Sequence, residues 1–279
     1  EIGVRLVGSE MCIRDRQWIT LSNQIGYNDI FLYSHGYKIS NPTFIRNTSS
    51  LIYSIIPSRN LQIEVGTSLD YHQYYRTLVN EDATPIKRKN LFLNYHTKLK
   101  YETLSKRYFP TKGLKTNISY TIHTDLHTNT AYSSLATQIT KIFPIALNTF
   151  IIPTIYGRFI FNDGIPFMYS NVIGGEGYNP HYEQQIPFSG LPHTESALKL
   201  LGNARIQIRH KFHEKQYLTL SGNYAIHQNQ FSNFLQGKKI HGTSIGYGYD
   251  SPLGPIEGFI CYSNRTNKLG FYLNIGFGF

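Results

Sequence analysis

The chain has 279 residues, of which 41% are hydrophobic, and it carries a formal net charge of +10. Its mean hydropathy is −0.30, and no run of about 18 apolar residues occurs, which excludes helical membrane spans. The 27 Lys and Arg residues are scattered and no nucleic-acid motif accompanies them, so no nucleic-acid partner is expected.

Residues 1–16 differ from the rest of the chain, because they show neither alternation nor the apolar core of a signal peptide. The segment Val7-Gly-Ser-Glu-Met-Cys-Ile-Arg-Asp-Arg16 resembles translated sequencing-adapter sequence. We therefore predict that residues 1–16 are a non-native artefact and that the native protein begins further upstream. Without Cys12, Cys261 stands alone, and neither a disulfide nor a cysteine metal site is expected.

From residue 17 onward, apolar and polar residues alternate with the period of a β-strand. In residues 205–211, for example, Arg, Gln, Arg and Lys occupy the odd positions, whereas Ile206 and Ile208 occupy even ones. About thirteen strands are predicted, over residues 17–26, 29–39, 43–56, 60–74, 90–105, 113–126, 133–144, 146–161, 198–212, 216–228, 240–250, 255–264 and 268–279.

One polar and one apolar face per strand suit a wall between water and lipid. The pattern predicts an all-β fold, an antiparallel transmembrane β-barrel that occupies residues 17–279. Bacterial barrels have an even number of strands, so about thirteen strands suggest the carboxy-terminal part of a probable sixteen. One connection, residues 162–197, is long, and we expect it to be extracellular or to fold into the barrel interior.

The last strand has the clearest alternation. Every odd position of Leu269-Gly-Phe-Tyr-Leu-Asn-Ile-Gly-Phe-Gly-Phe279 is apolar. Its length suits a tilted strand that crosses a bilayer, about 9–11 residues.

Four motifs in this order resemble the BamA-type outer-membrane barrel superfamily. Arg107-Tyr-Phe-Pro-Thr-Lys-Gly113 is similar to its Phe-Pro-Thr-Arg-Gly turn, and the segment from Gly174-Gly175 to Gly190 is similar to its inward-folding sixth loop. Ser251-Pro-Leu-Gly-Pro-Ile256 resembles its turn before the penultimate strand, and Phe279 resembles its terminal aromatic residue.

The resemblance implies a place in the bacterial outer membrane, with membrane lipid and the barrel-assembly machinery as partners and no cofactor. It also implies three groups of site residues, which are the turn residues Phe109, Pro110, Gly113, Pro252, Gly254 and Pro255, the loop residues Gly174, Gly175, Pro187, Phe188 and Gly190, and the assembly-signal residues Phe271, Leu273, Ile275, Phe277 and Phe279.

Two departures from the family pattern bear on function. The loop reads Gln185-Ile-Pro-Phe-Ser-Gly-Leu191 without the Arg-Gly tip, and Asn223-Tyr-Ala225 replaces an expected Asp-x-Gly. These features look closer to the barrel fused behind a patatin-like phospholipase. The resemblance implies an anchor or translocation barrel whose hydrolase domain, with a Ser–Asp dyad, lies in the missing amino-terminal part. The alternatives are a BamA-type assembly or secretion translocase and a soluble all-β binding protein.

No catalytic or metal-binding residue is predicted in this chain, so it is not expected to be an enzyme by itself. Gly242-Thr-Ser-Ile-Gly246 fits the Gly-x-Ser-x-Gly pattern of lipases, but that elbow must open a helix. Pro252 and the alternation after Ser244 favour a strand instead. The His and Glu residues of the long loop, His181 with Glu183 and His193 with Glu195, match no metal motif.

Overall fold

The computed structural model describes residues 3–12, 16–79, 89–176 and 184–276. They form seventeen strands and two short 3-10 helices, at Phe167–Tyr169 and Phe231–Gln236. The strands are β1 (Gly3–Cys12), β2 (Gln17–Asp29), β3 (Leu32–Ser34), β4 (Tyr37–Ser58), β5 (Leu61–Val79), β6 (Lys89–Glu102), β7 (Gly113–Asp125), β8 (Thr130–Ala146), β9 (Thr149–Ile160), β10 (Val172–Ile173), β11 (Gln185–Ile186), β12 (Glu195–Ser196), β13 (Leu200–His213), β14 (Gln216–Gln228), β15 (Lys238–Ser251), β16 (Gly254–Ser263) and β17 (Lys268–Ile275).

The chain divides into two compact units. The first contains Glu1–Tyr101, Asn117–Leu135 and Ile160–Ile165. Its main ladder is antiparallel, in the order β1–β2–β4–β5–β6, and β3 pairs with the start of β4. Long antiparallel strands joined by short turns follow from the alternating sequence.

The second unit contains Glu102–Thr116, Ala136–Phe159 and Pro166–Phe279. Its ladder is antiparallel in the order β9–β13–β14–β15–β16–β17. The short strands β10, β11 and β12 belong to the long connection, where β10 pairs parallel to β11 and antiparallel to β12. The connection at 162–197 is therefore partly ordered by its own backbone pairing.

Turn residues adopt the conformations that their types favour. Asn129, Asn148 and Asn267 lie in turns between long strands with φ between 51° and 61°. Asparagine tolerates this left-handed region better than most residues. His35 (φ 54°) and Gly36 (φ 75°) form the tight turn between β3 and β4.

The strand predicted over 29–39 is wrong, because β2 continues to Asp29 and β4 begins at Tyr37. Ser40-Asn-Pro42, which has the composition of a turn, lies inside β4. Pro42 is accommodated there next to a register shift between Thr43 and Phe44, and irregular pairing of this kind tolerates a residue without an N–H group.

The strand count also differs from the predicted thirteen. Sixteen described strands follow residue 16, of which β3, β10, β11 and β12 have only two or three residues. The sequence did not indicate these short strands, since segments of two or three residues show no recognisable alternation. The excluded segment contributes as well, because Gly3–Cys12 forms β1 and pairs antiparallel with β2. The foreign origin of residues 1–16 stays a prediction.

None of the described helices is long and apolar enough to span a membrane.

Candidate functional site

The strands of the second unit have two chemically different faces. We call the buried one the inner face. Its polar residues include Thr154, Arg158, Asn203, Arg205, Arg209, Tyr217, Thr219, Ser221, Asn223, Ser244, Glu257 and Ser263. These positions alternate along β9 and β13–β16, as the sequence predicted for the polar face.

The opposite, outer face is apolar and exposed. Its residues Ile206, Ile208, Leu218, Leu220, Ile245, Tyr247, Ile260, Leu269, Phe271 and Leu273 have between 42% and 78% of their surface accessible. A contiguous apolar surface of this kind is unfavourable in water and suits contact with lipid.

The long connection folds onto the inner face, and its backbone holds the loop tip in place. The Gly174 N–H donates to the Ile186 carbonyl at 2.9 Å, and the Phe188 N–H donates to the Gly175 carbonyl at 2.8 Å. Gly174 (φ 137°) and Gly175 (φ 73°) adopt backbone angles that disfavour other residues. The predicted Gly-Gly motif thus shapes the loop base.

An apolar cluster packs the loop against the wall. It combines Ile173, Ile186, Phe188 and Leu191 of the loop with Leu201, Ala225 and Ile240 of β13, β14 and β15. Phe188 is completely buried, and its ring lies over Gly242, where a Cβ would be 2.6 Å from it. The predicted loop residue Phe188 is therefore the apolar anchor of the tip.

Polar contacts fix the tip beside this cluster. Asn223 Nδ2 donates to Ser189 Oγ at 2.7 Å, and Ser189 Oγ donates to Ser244 Oγ at 3.2 Å. Asn203 Nδ2 donates to the Pro187 carbonyl at 3.1 Å. Ser189 and Asn223 belong to the two segments that depart from the family pattern, and here they form a neutral hydrogen bond.

Gly190 brings the loop into direct contact with the β16–β17 hairpin. Its φ is 79°, and a Cβ at this position would collide with the backbone of Tyr262 and Ser263. The hydroxyl of Thr266, in the turn that follows β16, donates to the Gly190 carbonyl at 3.1 Å. Only glycine combines this angle with so close an approach.

Two ion pairs connect the loop with other parts of the second unit. Arg205 of β13 pairs with Glu176 of the loop, and both side chains are at most 5% exposed. Arg265 Nε donates to Glu195 Oε1 at 2.6 Å, where the exposed fractions are 8% and 0%. Arg265 Nη1 also lies 3.0 Å from His227 Nε2. Buried pairs of this kind hold their partners in a defined geometry.

The Phe-Pro-Thr-Lys-Gly turn contributes more than a change of chain direction. Phe109 (φ 45°) is 1% exposed, and its ring stacks on Tyr217 at 4.3 Å between centroids. Gly113 (φ 125°) packs tightly against the backbone of Thr103 and Leu104. Pro110, which follows Phe109, is half-buried.

The second predicted turn, at 252–255, joins β15 to β16. Ser251 Oγ donates to the Gly254 carbonyl at 2.5 Å, and the Leu253 N–H donates to Ser251 Oγ at 3.2 Å. Gly254 has a φ of 109°, and Pro255 is buried at the start of β16. Pro252 lies in this turn, which precedes the penultimate strand β16 as the motif predicted.

The lipase-like segment 242–246 lies within β15. Ser244 points to the inner face, is 6% exposed and accepts a hydrogen bond from Ser189. The prediction that Ser244 is a strand residue rather than the tip of a nucleophile elbow is confirmed.

In the last strand, Phe271, Leu273 and Ile275 lie on the outer face with 54% to 73% exposure, as the alternation predicted. Phe277 and Phe279 lie outside the described residues. The role of all five as an assembly signal stays a prediction.

Sequence reasoning missed the buried charges that hold the loop. The alternation placed Arg205 on the polar face of its strand, and Glu195 matched no metal motif, but the sequence indicated a charged partner for neither residue. Asn171, also missed, accepts a hydrogen bond from Arg158 at 2.5 Å and donates to the carbonyls of Leu198 and Lys199 at 2.8 Å each. The composition carried one signal of these pairs. The chain has 17 Asp and Glu residues and 27 Lys and Arg residues, so the few carboxylates on the polar faces were candidates for ion pairs.

The fold and this site define a class of protein, an outer-membrane-type antiparallel β-barrel with a loop docked on the inner face of its wall. The sequence profile of the OMP85 superfamily matches residues 37–279. The crystal structure of BamA from Haemophilus ducreyi lacking POTRA domains 1-3 is similar, with 14% sequence identity and a TM-score of 0.69. The match covers 93% of this chain and 60% of that one. No curated protein sequence matches the chain.

The chain belongs to the OMP85 superfamily, because the profile matches most of its length. The predicted all-β barrel fold and the predicted location in the bacterial outer membrane are confirmed. Family membership favours the membrane barrel over a soluble all-β binding protein. The predicted link to patatin-like phospholipases does not follow from these similarities.

Proposed function

We propose that the protein assembles or translocates polypeptides at the bacterial outer membrane, as a translocase of the BamA type. The observation that supports this function is the docked loop, whose tip residues Phe188, Ser189 and Gly190 contact four neighbouring structural elements, β14, β15, β16 and the turn before β17. A loop held in one position on the inner face would obstruct a freely open pore. It is compatible with a barrel that binds a polypeptide at its wall.

The experiment measures the folding of a small eight-stranded test barrel into liposomes that contain the full chain, followed by the heat-dependent shift of its mobility in detergent gels. We expect faster folding than in empty liposomes. The matched variant is Gly190→Ala, which displaces the loop tip and should remove the acceleration. Equal folding rates with and without the protein would contradict the translocase function.

A second candidate is the anchor barrel of a patatin-like phospholipase, and a specific observation favours it. At the loop tip, Ser189 and Asn223 form a neutral pair, whereas the assembly-factor pattern has an arginine tip and an Asp-x-Gly strand. The coding sequence upstream of residue 17 distinguishes the candidates. A Gly-x-Ser-x-Gly segment that opens a helix would support the anchor, and repeated small αβ modules would support the translocase.

A further inference from the structure

Arg209, on the inner face of β13, is a buried cation that the docked loop does not use. It is 6% exposed, and its Nε and Nη1 atoms have no hydrogen-bond partner among the described residues. A guanidinium group cannot lose its charge in a protein, and an unpaired buried charge is unfavourable. The position therefore favours an anionic partner.

The strand neighbours of Arg209 do not provide that partner. Two described acids lie further away, Asp250 near Tyr217 and Glu257 beside Phe109, and neither forms an ion pair with Arg209. The strand register places Phe150 of β9 and Thr219 of β14 directly beside it. Two residues away on the same face of β13 are Gln207 and Lys211. None of these four neighbours carries a carboxylate, and Lys211 adds a second positive charge.

Arg205 provides a comparison within the same strand, since it lies four residues earlier on the same face of β13 and pairs with the carboxylate of Glu176. The chain thus supplies an acid for one buried arginine of β13. For Arg209, no ion pair with a described acid is formed.

The aromatic neighbour of Arg209 leaves its hydrogen-bonding atoms available. The guanidinium carbon lies 5.3 Å from the centroid of the Phe109 ring, and that ring is fixed by stacking on Tyr217. A cation–π contact stabilises the charge through the face of the group, whereas its N–H donors project in its plane. The Phe109 turn also carries the exposed cations Lys106, Arg107 and Lys112, which raise the local potential for anions.

We propose that Arg209, Lys211 and Thr219 form a binding site for a phosphate-type oxyanion. The guanidinium group and the ammonium group supply charge-assisted hydrogen bonds, and the hydroxyl of Thr219 supplies a further donor. The anion is either free phosphate or the phosphate of a lipid headgroup. The site is independent of the docked loop and therefore of the proposed translocase function.

The test uses the full chain refolded in an uncharged maltoside detergent and titrated with inorganic phosphate, with calorimetry as the readout. We expect saturable binding at one site and a loss of at least tenfold in affinity for Arg209→Gln. The matched control is Lys238→Gln, which removes the same charge at an exposed position of β15 and should leave the affinity unchanged.

Heat-dependent gel mobility establishes that each variant is folded. If Arg209→Gln does not fold, Thr219→Val and Lys211→Gln carry the test, and each should weaken binding severalfold. Absence of saturable binding by the parent chain, or equal affinity in parent and folded variants, would overturn the proposal. A competition experiment with lysophosphatidylglycerol distinguishes the two sources of the anion. If this lipid binds the site more tightly than inorganic phosphate does, the ligand is a lipid headgroup; if it binds more weakly, the ligand is free phosphate.

Discussion

Arg265 donates a hydrogen bond from Nε to Glu195 Oε1 at 2.6 Å across a separation of 70 residues. Arg265 lies in the turn between β16 and β17, and Glu195 lies in β12 of the long loop. Because Glu195 is fully buried and Arg265 is 8% exposed, neither charge is well solvated alone. This contact fastens the end of the loop to the last hairpin.

Loss of one partner of this pair should be strongly destabilising. Glu195→Gln removes the negative charge and leaves a buried guanidinium group, so we expect the free energy of unfolding to fall by about 3–5 kcal/mol. Urea titration of the refolded chain measures it. Glu102→Gln is the control, because Glu102 and Lys115 form an exposed pair at 3.6 Å that should contribute less than about 1 kcal/mol. Similar losses in the two variants would contradict the assigned role of Glu195.

The hydrogen bond from Asn223 to Ser189 should show energetic coupling. Ser189→Ala and Asn223→Ala each remove one side of a buried hydrogen bond, at a cost of about 1–3 kcal/mol. The double variant should lose less than the sum of the single variants, with a coupling of about 0.5–1.5 kcal/mol. Additive effects in urea titrations would mean that the loop tip does not rest on β14 in solution.

Gly190→Ala should displace the loop tip. Alanine at φ 79° costs about 1–2 kcal/mol, and the collision with Tyr262 and Ser263 adds about 1–3 kcal/mol. Gly164→Ala is the matched control, because its φ is 75° and nothing lies within 4 Å of the added Cβ. Limited proteolysis of the loop should accelerate in the first variant alone. Equal cleavage rates in the two variants would show that backbone strain, rather than the close packing of Gly190, causes the displacement of the loop.

A charged residue introduced on the outer face should lower the free energy of unfolding, and the loss should be larger the deeper the residue lies in the membrane. Ile260→Arg places a cation in the middle of the apolar face, where we expect a cost of about 2–4 kcal/mol. His241→Arg, near the end of β15 on the same face, should cost about 0–1 kcal/mol. Urea-induced unfolding of each variant from liposomes measures the two changes in the free energy of unfolding. Equal changes at the two sites would argue against lipid contact at Ile260.

Local patterns predicted the strands and their faces. In β13, the alternation of Arg205, Ile206, Gln207 and Ile208 identified the inner and outer sides correctly, since side chains of a strand alternate by backbone geometry alone. The start of β4 was not predicted, because a proline such as Pro42 is unusual inside a strand. A register shift next to Pro42 allows the strand to continue through it, and such a shift depends on the neighbouring strand.

The site was predicted only in outline. The motifs indicated that Phe188 and Gly190 belong to an inward-folding loop and that Phe109 belongs to a turn. The stacking of Phe109 on Tyr217, 108 positions later in the sequence numbering, carries no local signal. The same holds for the pairing of Arg205 with Glu176, because Glu176 and Arg205 belong to elements that meet only when the loop has folded back.

The sequence by itself determined the all-β class, the apolar and polar faces of the strands and the order of the family motifs, because each depends on neighbours along the chain. Only the tertiary structure decided that Ser189 meets Asn223 and Ser244, which are 34 and 55 residues away. Those partners depend on strand register and on the path of the loop. Both are set by packing and by the need to pair buried polar groups, which act between segments far apart in the chain.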